Sequence, residues 1–409
     1  MTQIVFIGIK LVGFLLGAFA LEEKLNADYS TYLILYSLIG FLAFISEMGI
    51  YYSVSNQWNS NTELERKLGR IFLSSMLSMA LGLLFVFVYI PTPNNEMVYI
   101  FISLPIIINL SLMFRGILIK ESVTILPAAY DAFAFGAPGY LFFFLIDSLN
   151  LSTVCTIIVT SHLGICIILY FHVKIIRKIW LIPKCDFSIS PFEKNMLLSN
   201  VVASPLGHVD LWLLLYLIPD VASKVLLVRD LASKIPNLFF PFLQIYLYPK
   251  MIAEDDRINA LKVFYRTSTF IILNFSGSII LFQLLNKHFT NSQLLDIASY
   301  FPIILFFVFR TVGSFLAPLM MYERRSDLSL LRNAVHSFLF VCFGAVAYFV
   351  VTDADAISLY FGYIIMQIIL TLLDVIITKK LVASYFSPYT FMYMIFNVVI
   401  LFHVCFGLT

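Results

Sequence analysis

Apolar residues follow one another in long runs along the whole chain, separated only by short polar clusters. The runs recur near the ~20 residues that an α-helix needs to cross the hydrocarbon of a bilayer. They predict spans at 3–21, 29–55, 71–90, 97–114, 123–146, 152–173, 196–218, 225–249, 267–286, 297–321, 333–351, 357–378 and 389–407. A membrane barrel would instead show stretches of about ten residues in strict alternation, and the chain has none. Lipid offers no partner for a bare N–H or C=O, so unbroken apolar spans must be helices. The expected fold is an all-α polytopic membrane protein of about 12 transmembrane helices, 13 with the final span counted.

Composition narrows the function classes. Of 409 residues, 61% are hydrophobic and 12% charged, and the mean hydropathy is +0.94. A soluble domain carries about 25% charged residues, so that class is excluded. The net charge of +2 leaves no footprint for nucleic acid. The five cysteines form no CxxC pair and lie mostly in apolar runs, where a thiol behaves as a small hydrophobe. His162, His172, His288, His336 and His403 show no ligand spacing, so no metal is expected. The chain lacks GxGxxG, Walker A, GxSxG and HExxH patterns, which points away from an enzyme and from any cofactor.

Charge placement sets the topology. Nineteen of the 26 Lys and Arg fall in alternate connections, including Arg66, Lys67 and Arg70, then Arg115 and Lys120, then Lys174, Arg177, Lys178, Lys184 and Lys194. The intervening connections hold only Lys24, Lys224 and Lys287. Basic loops stay on the cytoplasmic side, so the N-terminus is expected in the cytoplasm. The exported connections reach only about ten residues, too few for an external catalytic or receptor domain. Ala18-Phe19-Ala20 has the form of a cleavage site, yet Lys10 interrupts the apolar run instead of preceding it, so an uncleaved first helix is expected.

The longest basic connection, 174–195, divides the chain. The expected plan is an N-terminal six-helix bundle at 1–173, a cytoplasmic basic linker at 174–195, a C-terminal six-helix bundle at 196–378 and an extra C-terminal helix at 379–409. The loops NTELERKLGRIFLSS and EDDRINALKVFYRTS share a charge order, acids first and spaced bases after. They fit either a parallel internal repeat or two ordinary cytoplasmic loops.

Four cations, Lys10, Arg229, Lys234 and Arg310, lie inside spans, where a charge is costly and faces a protein-lined cavity or a partner. In VASKVLLVRDLASKIPNLFFPF, Asp230 and Lys234 are spaced to pair on one face, and Arg229 is turned about 100° from Asp230, making it the better anion-binding candidate. Pro236 and Pro241 each remove a helical hydrogen bond, so a kink or break is expected just after these charges. The alternative is a cluster at the water boundary, snorkelling outward. VVASPLGHVDLW places His208 and Asp210 on a kinked helix, either to relay a coupling proton or to be satisfied by neighbours. Glu47 and Asp131 are the other deep acids, for ion coupling or to balance a cation such as Lys10. Asp374 and Arg310 are lone charges in strongly apolar helices, which favours interior positions.

Two segments carry a family resemblance. GFLLGAFALEEKLNADYSTYLILYSLIGFLAFISEMGIYYSVSNQ is similar to the first two helices of Wzx-type O-antigen/polysaccharide flippases, with Tyr29 followed by Ser30 where that family has Tyr-Gly, and Glu47-Met48-Gly49 where it has Asp-Leu-Gly. GHVDLWLLLYLIPDVASKVLLVRDLASKIPNLFFPFLQIYLYPKM resembles its seventh and eighth helices, with Asp210 and Pro249 at the matching positions. The resemblance covers about 100 residues. It implies the multidrug/oligosaccharidyl-lipid/polysaccharide exporter superfamily, two six-helix bundles around a central cavity, and a bacterial inner-membrane location. It further implies a flippase role in polysaccharide or lipopolysaccharide biosynthesis, moving undecaprenyl-diphosphate-linked oligosaccharide to the periplasmic face by alternating access. The polymerase and chain-length regulator of that pathway would be its partners, and H+ or Na+ its coupling ion.

Two rivals make different demands. An O-antigen polymerase would need a long external loop, and the exported loops are short. An ion-coupled drug antiporter would need a lumen dominated by acids, whereas Arg229, Lys234, Arg310 and Lys10 make this one cationic.

Overall fold

The charged stretches flanking the apolar runs turn out to be helical themselves. A computed structural model of the protein describes residues 2–26, 28–47, 51, 54, 60–89, 101–121, 123, 125–135, 143, 145–147, 149–178, 180–184, 188–218, 223–242, 300–314, 320, 325–350, 356–382 and 399. Every element among them is helical: α1 (Thr2–Leu25), α2 (Asp28–Glu47), α3 (Asn61–Tyr89), α4 (Leu104–Lys120), α5 (Ile125–Phe135), α6 (Leu151–Arg177), α7 (Pro191–Ala203), a 3-10 turn η1 (Ser204–Gly207), α8 (Val209–Leu217), α9 (Ser223–Phe242), α10 (Phe301–Ser314), α11 (Ser326–Val350) and α12 (Ala356–Val382). The predicted spans 267–286 and 389–407 lie outside the described residues, Val399 apart.

Several boundaries shift for local reasons. α3 begins at Asn61, ten residues before its apolar run, because its polar first turns find partners: Lys67 pairs with Glu63 at 3.2 Å and Arg70 with Glu193 at 2.5 Å. α4 starts at Leu104 with Pro105 in its first turn, where the missing N–H costs nothing, and continues past Arg115 to Lys120. α6 is capped by Asn150, whose side chain accepts from the Thr153 N–H at 2.8 Å. α7 opens with a capping box: Ser190 accepts from the Glu193 N–H while the Glu193 carboxylate accepts from the Ser190 N–H.

The predicted span at 196–218, read as a kinked helix, is interrupted where Pro205 and Gly207 lie. α7 tightens into η1, and α8 restarts with the Trp212 N–H donating to the His208 carbonyl at 3.1 Å. Of the kink or break expected after Pro236 and Pro241, a break at Pro236 is absent: α9 runs on as helix through Pro236 and Pro241 to Phe242, and the residues after Phe242 lie outside the described ones.

The chain forms two compact units, Met1–Trp212 with Ser329–Ser337 and Leu213–Leu328 with Phe338–Thr409. In the first, α2 packs on α3, α4 and α7, α4 packs on α6, and α1 packs on α5. Its core gathers Leu68, Ile71, Phe114, Ile117, Tyr130 and Leu169, and Leu181 beyond α6 joins it. In the second, α10 packs on both α9 and α12. Phe306, Tyr360 and Tyr363 meet there at 5.3–5.7 Å, and Phe343 of α11 lies 5.1 Å from Tyr363.

Leu77, Leu84, Phe87, Ile168, Ile175, Phe338, Val341, Ile365 and Ile376 are exposed on long apolar helices. Water would penalise such faces, and lipid does not. Among the described residues, five helical segments are long and apolar enough to cross a bilayer: Asp28–Glu47, Asn61–Phe87, Leu151–Arg177, Ser326–Ala347 and Ile357–Asp374.

Candidate functional site

α9 carries three charges in two turns, and all three are buried. The Lys234 ammonium donates to Asp230 Oδ2 at 2.6 Å, the i,i+4 pairing expected from the spacing. Arg229, one residue back, faces another way. Its guanidinium carbon lies 5.6 Å from the centroid of Phe307 on α10. Arg310, one turn beyond Phe307, lies 5.9 Å from the same ring. Two guanidinium groups from different helices therefore converge on one buried aromatic ring, whose quadrupole favours cations over its faces.

Arg310 is half-buried, so this end of the cluster is not sealed. Asp374 is fully buried on α12, which packs against α10.

The remaining candidates belong to the first unit. Lys10 is buried on α1 with its ammonium 5.5 Å from the Phe14 ring. Glu47 closes α2, accepting from the Tyr51 N–H at 2.8 Å and from the Asn200 amide at 3.4 Å. His208 stacks on Trp212 at 6.0 Å and lies under Gly40, where a Cβ would come within 3.2 Å of its ring. The Trp212 indole N–H in turn donates to Ser37 at 3.0 Å. Asp210 is fully buried in the first turn of α8, where the positive end of the helix stabilises a carboxylate. Asp131 is on α5, and its side chain lies outside the described residues, as does Pro249.

Sequence reasoning missed several buried polar groups in the first unit, among them Arg115, Asn109 and Asn333. Arg115, placed in a loop by the hydropathy pattern, is buried on α4 with its guanidinium 5.1 Å from the Tyr130 ring, which meets His162 edge-on at 6.4 Å. The Asn109 amide donates to Ser46 at 2.7 Å and Ser75 at 3.1 Å, tying α4 to α2 and α3. The Asn333 amide donates to Ser199 at 2.7 Å, tying α11 to α7. Arg115 was legible as a cation followed by Gly-Ile-Leu-Ile. The others are uncharged, and hydropathy alone does not single them out.

Comparison with protein-family models and with curated protein sequences finds no match. Solved structures do match. The chain is similar to an inward-facing multidrug-resistance MATE family transporter of the MOP superfamily, with TM-score 0.54, 14% identity, and 94% of this chain and 96% of that one covered. An outward-facing MATE family structure gives TM-score 0.53 and 12% identity over the same shares. A MOP superfamily transporter from Pyrococcus furiosus, described as having a binding pocket of reversed polarity, gives TM-score 0.50 and 13% identity over 93% of this chain and 96% of that one. At such identities the likeness defines the fold: this chain has the helical fold of MOP superfamily transporters.

Proposed function

We propose that the protein is a flippase that moves a lipid-linked, diphosphate-bearing oligosaccharide from the cytoplasmic to the periplasmic face of a bacterial inner membrane, with its N-terminus in the cytoplasm. The observation that carries this reading is the convergence of Arg229 and Arg310 on Phe307, beside the Lys234–Asp230 pair. A diphosphate cannot enter hydrocarbon without counter-charge, and buried guanidinium groups supply it through paired, charge-assisted hydrogen bonds. The polyprenyl tail would remain in lipid while the glycan crosses a polar path. MOP superfamily neighbours in inward- and outward-facing conformations support alternating access as the mode of movement. Asp210, Glu47, Asp131, His208, Asp230 and Asp374 are the groups through which H+ or Na+ would couple. The polymerase and chain-length regulator of a surface-polysaccharide pathway are the proposed partners.

A flippase-null strain tests the reading. The wild-type gene should restore surface glycan, and Arg229→Ala and Arg310→Ala should each trap glycan-lipid on the cytoplasmic face. Glycan-lipid that reaches the outer face as single repeat units without chain extension would instead assign the protein to polymerisation.

A second reading, an ion-coupled drug antiporter, is favoured by the multidrug MATE neighbours. It predicts drug resistance on expression and little effect of Arg229→Ala.

A further inference from the structure

We propose that the end of α6 and the strap that follows it, residues 180–184, form a binding surface for the headgroups of acidic phospholipids. The strap is a built feature. Lys178 adopts a left-handed conformation (φ 56°), which stops α6 and turns the chain back. The Lys184 N–H donates to the Glu65 carbonyl at 3.0 Å, and its ammonium pairs with the Glu65 carboxylate at 2.5 Å. At Gly69 on α3 a Cβ would lie 2.0 Å from the Lys184 carbonyl oxygen, so the strap lies directly on helix backbone, where only glycine leaves room.

Held this way, the strap alternates. Leu181 is 4% exposed and joins the core, while Trp180 and Ile182 on either side are 54% and 63% exposed. The exposed pair continues a line of outward apolar side chains on α6, namely Ile168, Phe171 and Ile175. A tryptophan at the end of a lipid-facing helix has the position of an interfacial anchor.

The charges around it are one-sided. The Lys174 ammonium lies 3.2 Å from the Trp180 ring centroid, and Lys178 is exposed beside it. Arg177 is taken by Glu121 at 2.8 Å and Lys184 by Glu65, and among the described residues no carboxylate pairs with Lys174 or Lys178. Two ammonium groups that no described carboxylate pairs, next to an apolar, membrane-facing tryptophan, complement a lipid that is anionic at its head and apolar below. The inference is independent of the transported substrate.

The test uses the full chain in phosphatidylcholine vesicles containing brominated phosphatidylglycerol or brominated phosphatidylcholine, and reads the fluorescence that the wild type loses and Trp180→Phe does not. At low salt the brominated phosphatidylglycerol should quench at several-fold lower mole fraction, since each lysine near an acidic surface contributes about fivefold. High salt and the Lys174→Gln/Lys178→Gln variant should bring the ratio close to one, Lys174→Arg should retain it, and inorganic phosphate should not compete. Equal quenching by both lipids, or none assignable to Trp180, would overturn the proposal, and displacement by phosphate would replace the lipid with a soluble anion. Glycan-lipid transport by the double glutamine variant should match the wild type, so this result and the flippase test fail separately.

Discussion

Phe307 is the residue on which the candidate site turns, because it is the apolar partner of two guanidinium groups on different helices. If those groups bind phosphate oxygens, Arg229→Ala should lower transport about 10- to 100-fold, the range of a charged hydrogen bond, with Arg229→Lys intermediate because a point charge replaces a fork. Phe307→Leu keeps the volume but removes the ring face, and a few-fold loss is expected in the same vesicle assay. The Lys234–Asp230 pair makes a different prediction. Asp230→Asn removes the carboxylate that the buried Lys234 ammonium contacts at 2.6 Å and should destabilise the protein by up to about 3–5 kcal/mol, whereas Asp230→Asn with Lys234→Met should recover most of that in a thermal melt. An equal loss in the single and double variants would mean that the pair does not act as a unit. At this scale the charges were legible, since a Lys or Arg in an apolar run is visible by inspection. Their partners were not: the spacing within one helix gives Asp230–Lys234, but Phe307 lies some eighty residues from Arg229.

Single elements show where local sequence rules win and where packing overrides them. Pro205 and Gly207 interrupt the helix as their chemistry requires, and the buried Asp210 then occupies the first turn of α8. Pro236 carries the same chemistry, yet α9 continues through it to Phe242. Glu193 serves two structures at once, the cap of α7 and the ion pair with Arg70. Glu193→Ala should therefore destabilise the protein more than Ser190→Ala, by about 3 kcal/mol against about 1, read from thermal melts. Gly69→Ala should lift the 180–184 strap from α3 and expose it to protease in detergent, because the new methyl group meets backbone that cannot rotate aside.

For the whole molecule, the helical fold and the membrane class were readable from length and hydropathy, because every spanning segment must satisfy its own backbone. Orientation belongs to this scale as well. Single cysteines introduced at Lys178 and at Lys24 should be labelled from opposite faces of the membrane, with Lys178 protected from an impermeant reagent added to intact cells. Labelling of Lys178 from outside would invert the topology. The periods also hid something. Hydropathy treats a cation as the end of a span, so α3, α4 and α11 were read short, and the buried Arg115 was assigned to a loop.

By itself the sequence determined that this is a bundle of membrane helices with charges inside it, since that follows from the cost of exposing backbone and charge to hydrocarbon. Tertiary structure alone decided which charges meet. Helix rotation and packing bring Arg229 and Arg310 to Phe307, seat His208 beneath Gly40, and lay the 180–184 strap on Gly69. These contacts join residues far apart in the chain, and no local period encodes them.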